Sequence, residues 1–505
     1  MEIIRELPVI SLTIFTPLAG AVILLFLRGE RKNLIRGFSL LISILTLIFS
    51  IAIFISFERG KSGFQFLEKK DWLGMGINWS VGLDGISLPL FLLTSLIFPI
   101  CILASWSQIE NKVKEFHIFL LLTETAILGV FASLNLFLFY VFWEGMLIPM
   151  YFIIGVWGSS ERIYATIKFV LFTMVGSLMM LLSFFVLYSY YFKASGIYSF
   201  EFSDLLSLSL SPKIQLWLFL GFFLSFAIKV PMIPFHTWLP DAHTEAPTAG
   251  SVILAGVLLK MGAYGLIRFA FPLFPSALEQ MRTPMIYLSI SAIIYGGLMA
   301  LAQKDLKRLV AYSSISHMGF ITLGLLTLND IGVQGAVIQM VNHGLSTGGL
   351  FLIVGAIYER THTRIMREMG GLSKKLPILS AFFVIIMLSS IGLPGLNGFV
   401  GEFLIIAGTF KINITYSAIS AFGIVLSAAY LLWAFQRVMQ GKAKEGNGIR
   451  DLRIREILYF IPIILLIFWI GLYPKTFFAK MEKDVKGTIE VIKSKKSFDF
   501  KELLK

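Results

Sequence analysis

Residues 225–243 have the sequence SFAIKVPMIPFHTWLPDAH, an apolar segment that carries one lysine, Lys229, and then a pair of prolines. Pro231 and Pro234 each lack a backbone donor, so the carbonyl group four residues before each of them loses its helical partner. A helix is therefore expected to break beside the lysine. Broken helices at membrane depth occur where the freed groups meet protein or water, so the segment predicts a hydrated cavity. The alternative is a kink that only shapes helix packing.

The whole chain has the composition of a membrane protein. Of its 505 residues, 57% are hydrophobic and 14% are charged, against roughly 25% charged in ordinary soluble domains. This composition excludes a soluble globular enzyme. The net charge of +13 does not indicate a nucleic-acid partner, because the basic residues are distributed over loops between apolar segments, where they report topology and lipid contact. The one cysteine, Cys101, offers no pair for zinc or for an iron–sulfur cluster.

The apolar segments predict an all-α polytopic membrane protein with about fourteen transmembrane helices. Each span needs about 20 mostly apolar residues, because every backbone polar group must be satisfied within the segment. The predicted spans cover residues 8–27, 37–56, 86–106, 116–133, 134–155, 169–191, 214–234, 247–267, 285–302, 309–328, 331–358, 377–409, 413–436 and 457–474.

A second break is predicted in the twelfth span, where LSSIGLPGLNGFVGEFL places Gly392, Pro394 and Gly395 before Glu402. Breaks in the seventh and twelfth spans are five spans apart, which is typical of internally repeated transporter halves. An odd offset makes the two repeats, spans 4–8 and spans 9–13, inverted. The predicted regions are an N-terminal three-helix region (1–115), a first repeat (116–267), a second repeat (285–436), and a last helix with a basic tail (457–505).

The distribution of Lys and Arg predicts the orientation of the chain. The odd-numbered loops carry about twice as many of these residues as the even-numbered loops, which makes the odd loops cytoplasmic. Both termini are then expected on the non-cytoplasmic side. The tail after Tyr473, which carries nine lysines, argues for the opposite orientation.

Five charged residues lie inside the predicted spans: Glu124, Glu144, Lys229, Lys260 and Glu402. Placing such a residue at the bilayer centre costs at least about 2.5 to 3.5 kcal/mol, so these side chains are expected to face the bundle interior and to have a function. Glu144, in NLFLFYVFWEGMLIP, lies far from both surfaces. We expect it to pair with Lys229 and the pair to act as a protonic switch. The alternative is a buried ion pair that is purely structural.

The middle of the chain adds candidates for proton relay. Lys260 lies between Gly256 and Gly262, small residues that allow neighbouring helices to approach closely. His317 and His343 lie in the tenth and eleventh spans among small and hydroxyl residues. An imidazole can pass a proton between its two nitrogens near neutral pH, so each histidine is a possible relay. The alternative for each is a hydrogen-bonded packing residue.

Other polar residues have weaker indications. Glu124 has Thr123 and Thr125 beside it as possible partners, so a structural and a functional role are both open. His236 and His243 lie among prolines that prevent two ligands from sharing a helical face, and no metal site is expected. The sequence has no phosphate-binding loop and no dinucleotide fingerprint. We therefore expect that the chain does not bind NADH itself.

Four motifs carry a resemblance to a known family. They are FYVFWEGMLIPMYFIIG around Glu144, KVPMIPFHTWLPDAHTEAPTAGSVILAGVLLKMGAYGLIR across Lys229 and Lys260, KDLKRLVAYSSISHMG around His317, and GLPGLNGFVGEF around Glu402. Over almost its whole length the chain resembles the antiporter-like membrane subunits of respiratory complex I, which are shared with Mrp-type cation/proton antiporters. In that family a glutamate at the Glu402 position is typical of the M-type chain and the D-type Mrp subunit. The L-type chain has a long extra C-terminal helix, whereas only a basic tail is expected here.

The resemblance implies a role in proton translocation. It implies a path with these residues: Glu144, Lys229, Lys260, His343, His317 and Glu402. Quinone reduction in neighbouring subunits would drive it, with NADH, FMN, iron–sulfur clusters and quinone in partner subunits and no cofactor in this chain. The implied partners are L-type and N-type chains, a hydrophilic redox arm and lipid, in a bacterial inner membrane. The alternatives are a D-type subunit of an Mrp-like antiporter and a membrane scaffold that transports nothing.

Overall fold

Apolar helices make up most of the structure, a computed structural model that describes residues 7–442 and 449–502. In this described part, thirteen helices are long and apolar enough to cross a membrane: Val9–Phe26, Lys32–Ser56, Leu88–Ser105, Val113–Ala132, Leu136–Trp157, Arg162–Ser195, Pro212–Lys229, Thr248–Leu273, Pro275–Leu301, Leu306–Leu326, Asp330–Thr361, Ile414–Met439 and Ile454–Leu472. Two shorter apolar helices, Pro377–Ile391 and Asn397–Phe410, together occupy the predicted twelfth span. The prediction of about fourteen spans is confirmed.

Some helices extend beyond the predicted boundaries. The sixth span, predicted over 169–191, is the helix Arg162–Ser195 of 34 residues. The second span, predicted from residue 37, begins at Lys32. Hydropathy marks only the part of a helix that matches the hydrocarbon layer, whereas backbone hydrogen bonds continue into the polar residues at each end.

The seventh span breaks at the predicted place. Its helix ends at Lys229, and the chain passes through turns to a short helix, Trp238–Glu245. The Ala227 carbonyl, four residues before Pro231, loses its helical partner as predicted, and it accepts the N–H of Met232 instead at 2.8 Å. The turn folds back and supplies the missing donor.

The twelfth span is also broken as predicted. Gly392 and Gly395 have φ values of +85° and +90°, a region that glycine occupies without the steric cost of a side chain. Gly398 allows the two half-helices to meet, because a Cβ atom there would lie 1.9 Å from the carbonyl oxygen of Ser389. The breaks thus fall five spans apart, as inverted repeats require.

The eighth span is buried along its whole length and changes its winding twice. Two segments, Leu254–Leu258 and Leu266–Ala270, are π-helical, and the α-helical turn Leu259–Gly265 lies between them. Single π-helical turns are found often at functional sites, because they shift the register of the side chains and of the carbonyl groups. Lys260 lies just after the first of these segments.

A β-hairpin between the second and third spans was not predicted. Strand β1, Gln65–Gly74, pairs antiparallel with β2, Ile77–Leu83, in a register that places Lys69 opposite Ser80. The hairpin was not predicted because it lies in the loop between two spans, and hydropathy identifies only the spans. The alternation of polar and apolar residues in its two strands is too short to stand out.

The hairpin is tied to the start of the first helix. The Glu68 carboxylate accepts the N–H groups of Ile10 at 2.8 Å and of Ser11 at 3.2 Å. Pro8, at the N-cap, gives no side-chain hydrogen bond to this helix, so Glu68 satisfies donors that would otherwise be free.

The basic tail forms a helix, Lys475–Glu502, of 28 residues, whereas only a lysine-rich tail without a long extra helix was expected. Its buried side chains are Phe477, Met481, Val485, Ile489 and Ile492. They are spaced by three or four residues, which is typical of one apolar face on a surface helix. The nine lysines concealed this pattern because they lower the mean hydropathy of the segment.

Candidate functional site

Lys260 and His343 are in direct contact in the centre of the molecule. Nζ of Lys260 lies 2.6 Å from Nδ1 of His343, and both side chains are buried. The ammonium group also donates to the carbonyl oxygen of Ala255, in the π-helical segment. The eighth and eleventh spans approach closely here, since a Cβ atom on Gly344 would lie 2.7 Å from the Gly256 carbonyl oxygen.

His317 and Glu402 form a second contact. Nδ1 of His317 lies 2.9 Å from Oε1 of Glu402, and Nε2 of His317 lies 3.3 Å from the hydroxyl oxygen of Ser390. The side-chain amide of Gln339 donates to the same carboxylate oxygen at 3.2 Å. The other oxygen of Glu402 faces the break in the twelfth span, where a Cβ atom on Gly392 would lie 3.0 Å from it.

The Lys260–His343 contact and the His317–Glu402 contact are adjacent, because the two histidine rings are neighbours. The ring centroids of His317 and His343 are 5.7 Å apart. The structure thus brings four predicted site residues, from the eighth, tenth, eleventh and twelfth spans, into one buried row: Lys260, His343, His317 and Glu402.

Glu144 and Lys229 are neighbours that do not touch. Nζ of Lys229 lies 3.9 Å from Sδ of Met146 and 5.0 Å from the ring centroid of Trp143. The ion pairs of 4.0 Å or less among the described residues do not include Glu144 with Lys229. Glu144 is partly exposed at the end of the helix Leu136–Gly145, whereas Lys229 is buried.

Gly262 connects the neighbourhood of Lys229 to the central row. A Cβ atom on Gly262 would lie 2.7 Å from Cγ2 of Val230, 2.8 Å from the carbonyl oxygen of Phe226 and 3.1 Å from Cβ of Lys229. The close helix approach predicted at this glycine is therefore present. Gly256 has ordinary space instead, with its nearest side-chain neighbour 3.6 Å away.

Several polar residues around the row were missed by the sequence analysis. Asn342 donates to the Gln339 side chain at 3.2 Å and to the Asn397 carbonyl at 2.7 Å, and the hydroxyls of Ser346 and Ser389 are 2.6 Å apart. The eleventh span did carry a signal, because residues 339, 342, 343 and 346 are polar at helical spacing in an otherwise apolar segment.

Glu124 takes a different partner from the expected threonines. The hydroxyl of Ser43, in the second span, donates to the Glu124 carboxylate at 2.6 Å. Thr123 and Thr125 instead donate to carbonyl groups of their own helix. Hydroxyls in helices commonly bond to the carbonyl four residues earlier, which makes them unavailable to neighbouring side chains.

The polar loop after the seventh span is engaged in structural contacts. The Asp241 carboxylate pairs with Lys168 at 2.7 Å and with Arg308 at 3.3 Å. His243 stacks on Phe351, with ring centroids 4.7 Å apart. Glu245 accepts the backbone N–H of Glu161 at 2.9 Å. Within the described ranges, no group of three or more His, Cys, Asp or Glu residues is arranged to hold a metal ion.

The site can hold and move protons. It alternates amine, imidazole and carboxylate groups, which are proton donors or acceptors at hydrogen-bond distance over two of its three steps. The polar row runs through an otherwise apolar interior of phenylalanine, leucine and isoleucine side chains.

Comparisons with known proteins identify the family of this chain. Residues 133–427 match the family model described as NADH:quinone oxidoreductase/Mrp antiporter, transmembrane. The chain belongs to this family. Among curated relatives of the family, NADH-quinone oxidoreductase subunit M of Rickettsia prowazekii is 47% identical, covering 93% of this chain and 96% of the relative. NADH-ubiquinone oxidoreductase chain 4 of Arabidopsis thaliana is 44% identical, covering 94% of this chain and 96% of the relative.

Solved structures of the family have the same fold. A chain of respiratory complex I from Thermus thermophilus with bound NADH has a TM-score of 0.87 and 34% identity, covering 96% of this chain and 99% of that chain. A chain of the Mrp complex from a Dietzia species has a TM-score of 0.83 at 17% identity, covering 97% of this chain and all of that chain. The second likeness concerns the fold alone. The chain is thus a multi-pass, all-α membrane protein of the complex I and Mrp type.

Proposed function

We propose that this chain is the M-type proton-translocating membrane subunit of an NADH:quinone oxidoreductase. The observation that carries the proposal is the buried row from Lys260 through His343 and His317 to Glu402. Relatives named as subunit M or chain 4 of that enzyme, similar over more than nine-tenths of this chain, support the assignment.

Proton transfer along the row takes three steps. Nζ of Lys260 gives a proton to Nδ1 of His343 over 2.6 Å. The imidazole releases a proton from its other nitrogen toward His317, and one bridging water is enough to cover the separation between the rings. His317 then gives a proton to the Glu402 carboxylate over 2.9 Å. The break at Gly392 lies beside that carboxylate and supplies the exit.

Glu144 and Lys229 act as the switch that precedes the row. A proton enters at the broken seventh span and resides on Lys229 or on Lys260. When the Glu144 carboxylate moves against the Lys229 ammonium group, it stabilises the charge there; when it moves away, the buried charge loses its partner and the proton passes onward. In the structure the Glu144 carboxylate is apart from the Lys229 ammonium group, whose neighbours are Met146 and Trp143, so the geometry corresponds to the state in which the proton passes onward.

The energy source lies outside this chain. We propose that NADH, FMN, iron–sulfur clusters and quinone bind to partner subunits, and that this chain has no redox centre, no metal and no NADH site of its own. Its partners are then the L-type and N-type antiporter-like chains and the hydrophilic redox arm. We place the complex in a bacterial inner membrane, with the odd-numbered loops in the cytoplasm and both termini on the opposite side.

A D-type subunit of an Mrp-like cation/proton antiporter is the second candidate. The family model covers both kinds of protein, and the Dietzia Mrp chain has the same fold. The relatives at 44–47% identity favour the oxidoreductase. A scaffold that transports nothing is the third candidate, and it leaves the alignment of four ionisable side chains without a role.

The test is Glu144→Gln in the assembled complex, reconstituted into liposomes and supplied with NADH and quinone. We expect the proton gradient, followed with a dye, to fall by about tenfold or more, because the neutral amide cannot switch the charge on Lys229. Glu124→Gln is the control: Glu124 is also a glutamate within a span, but it bonds to Ser43 away from the row, and the variant should pump normally. Near-normal pumping by Glu144→Gln contradicts the assignment. A gradient that needs sodium and no NADH moves the chain to the antiporter class.

A further inference from the structure

A cavity of ≈ 710 Å³ lies at one face of the bundle, apart from the row. Segments that follow five different spans meet around it, represented by Ser107, Ser159, Ala246, His362 and Ile449. These spans are the third, fifth, seventh, eleventh and thirteenth. All five segments belong to the odd-numbered loops, in which the basic residues of the chain are concentrated.

The lining of the cavity is strongly basic. Its three acidic side chains are Glu359, Asp451 and Glu456, and its six basic ones are Lys307, Arg360, Arg364, Arg450, Arg453 and Arg455. The excess of positive charge means that the cavity attracts anions.

The acidic residues of the lining are used in structural contacts. Glu456 pairs with Arg360 at 2.7 Å. The Asp451 carboxylate accepts the backbone N–H groups of Ile378 at 2.7 Å and Leu379 at 3.2 Å, at the start of the twelfth span. Six basic side chains thus line the cavity with three acidic ones, and two of those carboxylates already have partners.

Two of the basic side chains form hydrogen bonds with neutral groups. Nζ of the buried Lys307 bonds to a neutral group, the Ala246 carbonyl, at 2.5 Å. Arg455 donates to the hydroxyl of Ser107 at 2.7 Å, and its buried Nε atom has no hydrogen-bond partner among the described residues. A buried donor without a partner is costly, and an oxyanion in the cavity would satisfy it.

Exposed apolar side chains occur close to the lining in the chain. Tyr358 lines the cavity and is 46% exposed, while Ile454 and Leu458, which are neighbours in sequence of the lining residues Arg453, Arg455 and Glu456, are 79% and 54% exposed. An anionic phospholipid fits this combination at the end of a span. Its headgroup would contact the basic side chains, and its acyl chains would contact the exposed apolar ones.

We propose that this cavity is a binding site for a phosphate group, supplied by an anionic phospholipid of the same leaflet or by free phosphate. Guanidinium groups bind phosphate oxygens through two parallel, charge-assisted hydrogen bonds. Arg453 and Arg455 both line the cavity and can provide such hydrogen bonds. The cavity lies within the usual size range of small-ligand sites.

The experiment uses the whole complex, stripped of lipid in detergent and returned to phosphatidylcholine vesicles with and without phosphatidylglycerol. Binding of phosphatidylglycerol is measured by mass spectrometry and by the thermal unfolding midpoint. A separate titration uses inorganic phosphate at constant ionic strength. The double variant Arg453→Gln/Arg455→Gln is compared with Lys374→Gln, which removes an exposed charge from an odd-numbered loop outside the lining.

We expect the double variant to bind phosphatidylglycerol about tenfold more weakly and Lys374→Gln to match the wild type. Arginine-dependent protection by inorganic phosphate, without any effect of phosphatidylglycerol, confirms the site and identifies free phosphate as the source. If the double variant does not assemble, Arg450→Gln, at an exposed loop position, must lower binding. Equal binding of both probes by the wild type and the arginine variants overturns the proposal.

Discussion

His343 is the side chain on which the continuity of the buried row depends. It contacts Lys260 through one ring nitrogen and faces the ring of His317 on its other side. The other residues of the row have polar neighbours besides each other, such as Gln339 and Ser390 beside the His317–Glu402 contact. No described side chain other than His343 connects Lys260 to His317.

His343→Leu tests this continuity. We expect the proton gradient per NADH oxidised to fall by about tenfold or more, because leucine fills the space but cannot carry a proton. His117→Leu is the control: His117 is also buried, but it bonds to the carbonyl of Val113 in the fourth span, away from the row. A gradient equal to that of the control shows that His343 is only a packing residue.

Gly262 is a second residue with a predicted role, because it leaves no room for a side chain between the eighth span and the end of the seventh. A valine there would place Cβ 2.7 Å from Val230 and 2.8 Å from the Phe226 carbonyl. We expect Gly262→Val to lower the free energy of unfolding by about 1–3 kcal/mol through overpacking and to displace Lys229. Gly256→Ala, where the nearest atoms are 3.6 Å away, should be neutral or slightly stabilising. Thermal unfolding of both variants checks this, and equal midpoints would contradict it.

The sequence was informative about ionisable residues and less so about their contacts. A charge within an apolar span is conspicuous because its burial is costly, so Lys260 and Glu402 could be predicted as site residues. His343 and His317 were predicted only as possible relays, from their small and hydroxyl neighbours. The Gln339 and Asn342 amides have no formal charge and were overlooked, although they bond to the same network. The Glu144–Lys229 distance depends on how two helix ends are packed, which one-dimensional spacing does not determine.

At the scale of elements, the C-terminal helix is held to the rest of the molecule by its buried apolar face, by Lys480, which donates to the carbonyls of Phe54 and Phe57, and by the Asp484 carboxylate. Asp484 accepts the backbone N–H of Gly63 at 2.7 Å and of Gly85 at 2.6 Å. Burial, together with the neighbouring charge of Asp84, raises the pKa of Asp484 from 3.8 to about 6. Asp84 itself pairs with Arg268 at 2.5 Å.

This raised pKa predicts that docking of the helix depends on pH. The docked state binds a proton that the undocked state releases, so the contribution is fully present below about pH 4 and is lost as the pH rises through 6. We expect docking to weaken by about 1–3 kcal/mol between pH 4 and pH 7. Hydrogen exchange at Gly63 and Gly85, corrected for the intrinsic rates, measures the change. Asp484→Asn should remove the dependence, and a dependence that persists in this variant assigns it to another group.

The elements that the sequence did not predict share a physical cause. Hydropathy identifies segments that lie in hydrocarbon, and both the hairpin and the C-terminal helix lie outside the spans. Both elements are held in place by contacts with the rest of the chain. Glu68 of the hairpin accepts the N–H of Ile10 in the first helix, and Asp484 of the C-terminal helix accepts the N–H of Gly63 in the second loop. The two broken spans were predicted, because proline and glycine impose a break through local backbone geometry.

At the scale of the whole molecule, the basic cavity and the hairpin lie on loops of opposite parity. The odd-numbered loops surround the cavity, whereas the hairpin, Gln65–Leu83, belongs to the second loop. The predicted orientation therefore places the cavity on the cytoplasmic side and the hairpin on the other side.

Accessibility of single cysteines tests this orientation in a Cys101→Ser background. Met75, at the tip of the hairpin, is 68% exposed, and Lys374 is exposed in the eleventh loop. We expect a membrane-impermeant maleimide to label Met75→Cys in intact spheroplasts and to label Lys374→Cys only after the membrane is opened. The reverse pattern would show that the lysines of the tail, rather than those of the loops, determine the topology.

The contact of Asp484 with the early loops has a consequence for synthesis. Gly63 and Gly85 receive their acceptor from a residue 421 and 399 positions later in the chain. The surface beside the first three helices therefore stays unfinished while the ribosome is still translating, and it closes only when the last segment has emerged. A prematurely terminated chain would leave the amide groups of Gly63 and Gly85 without this acceptor.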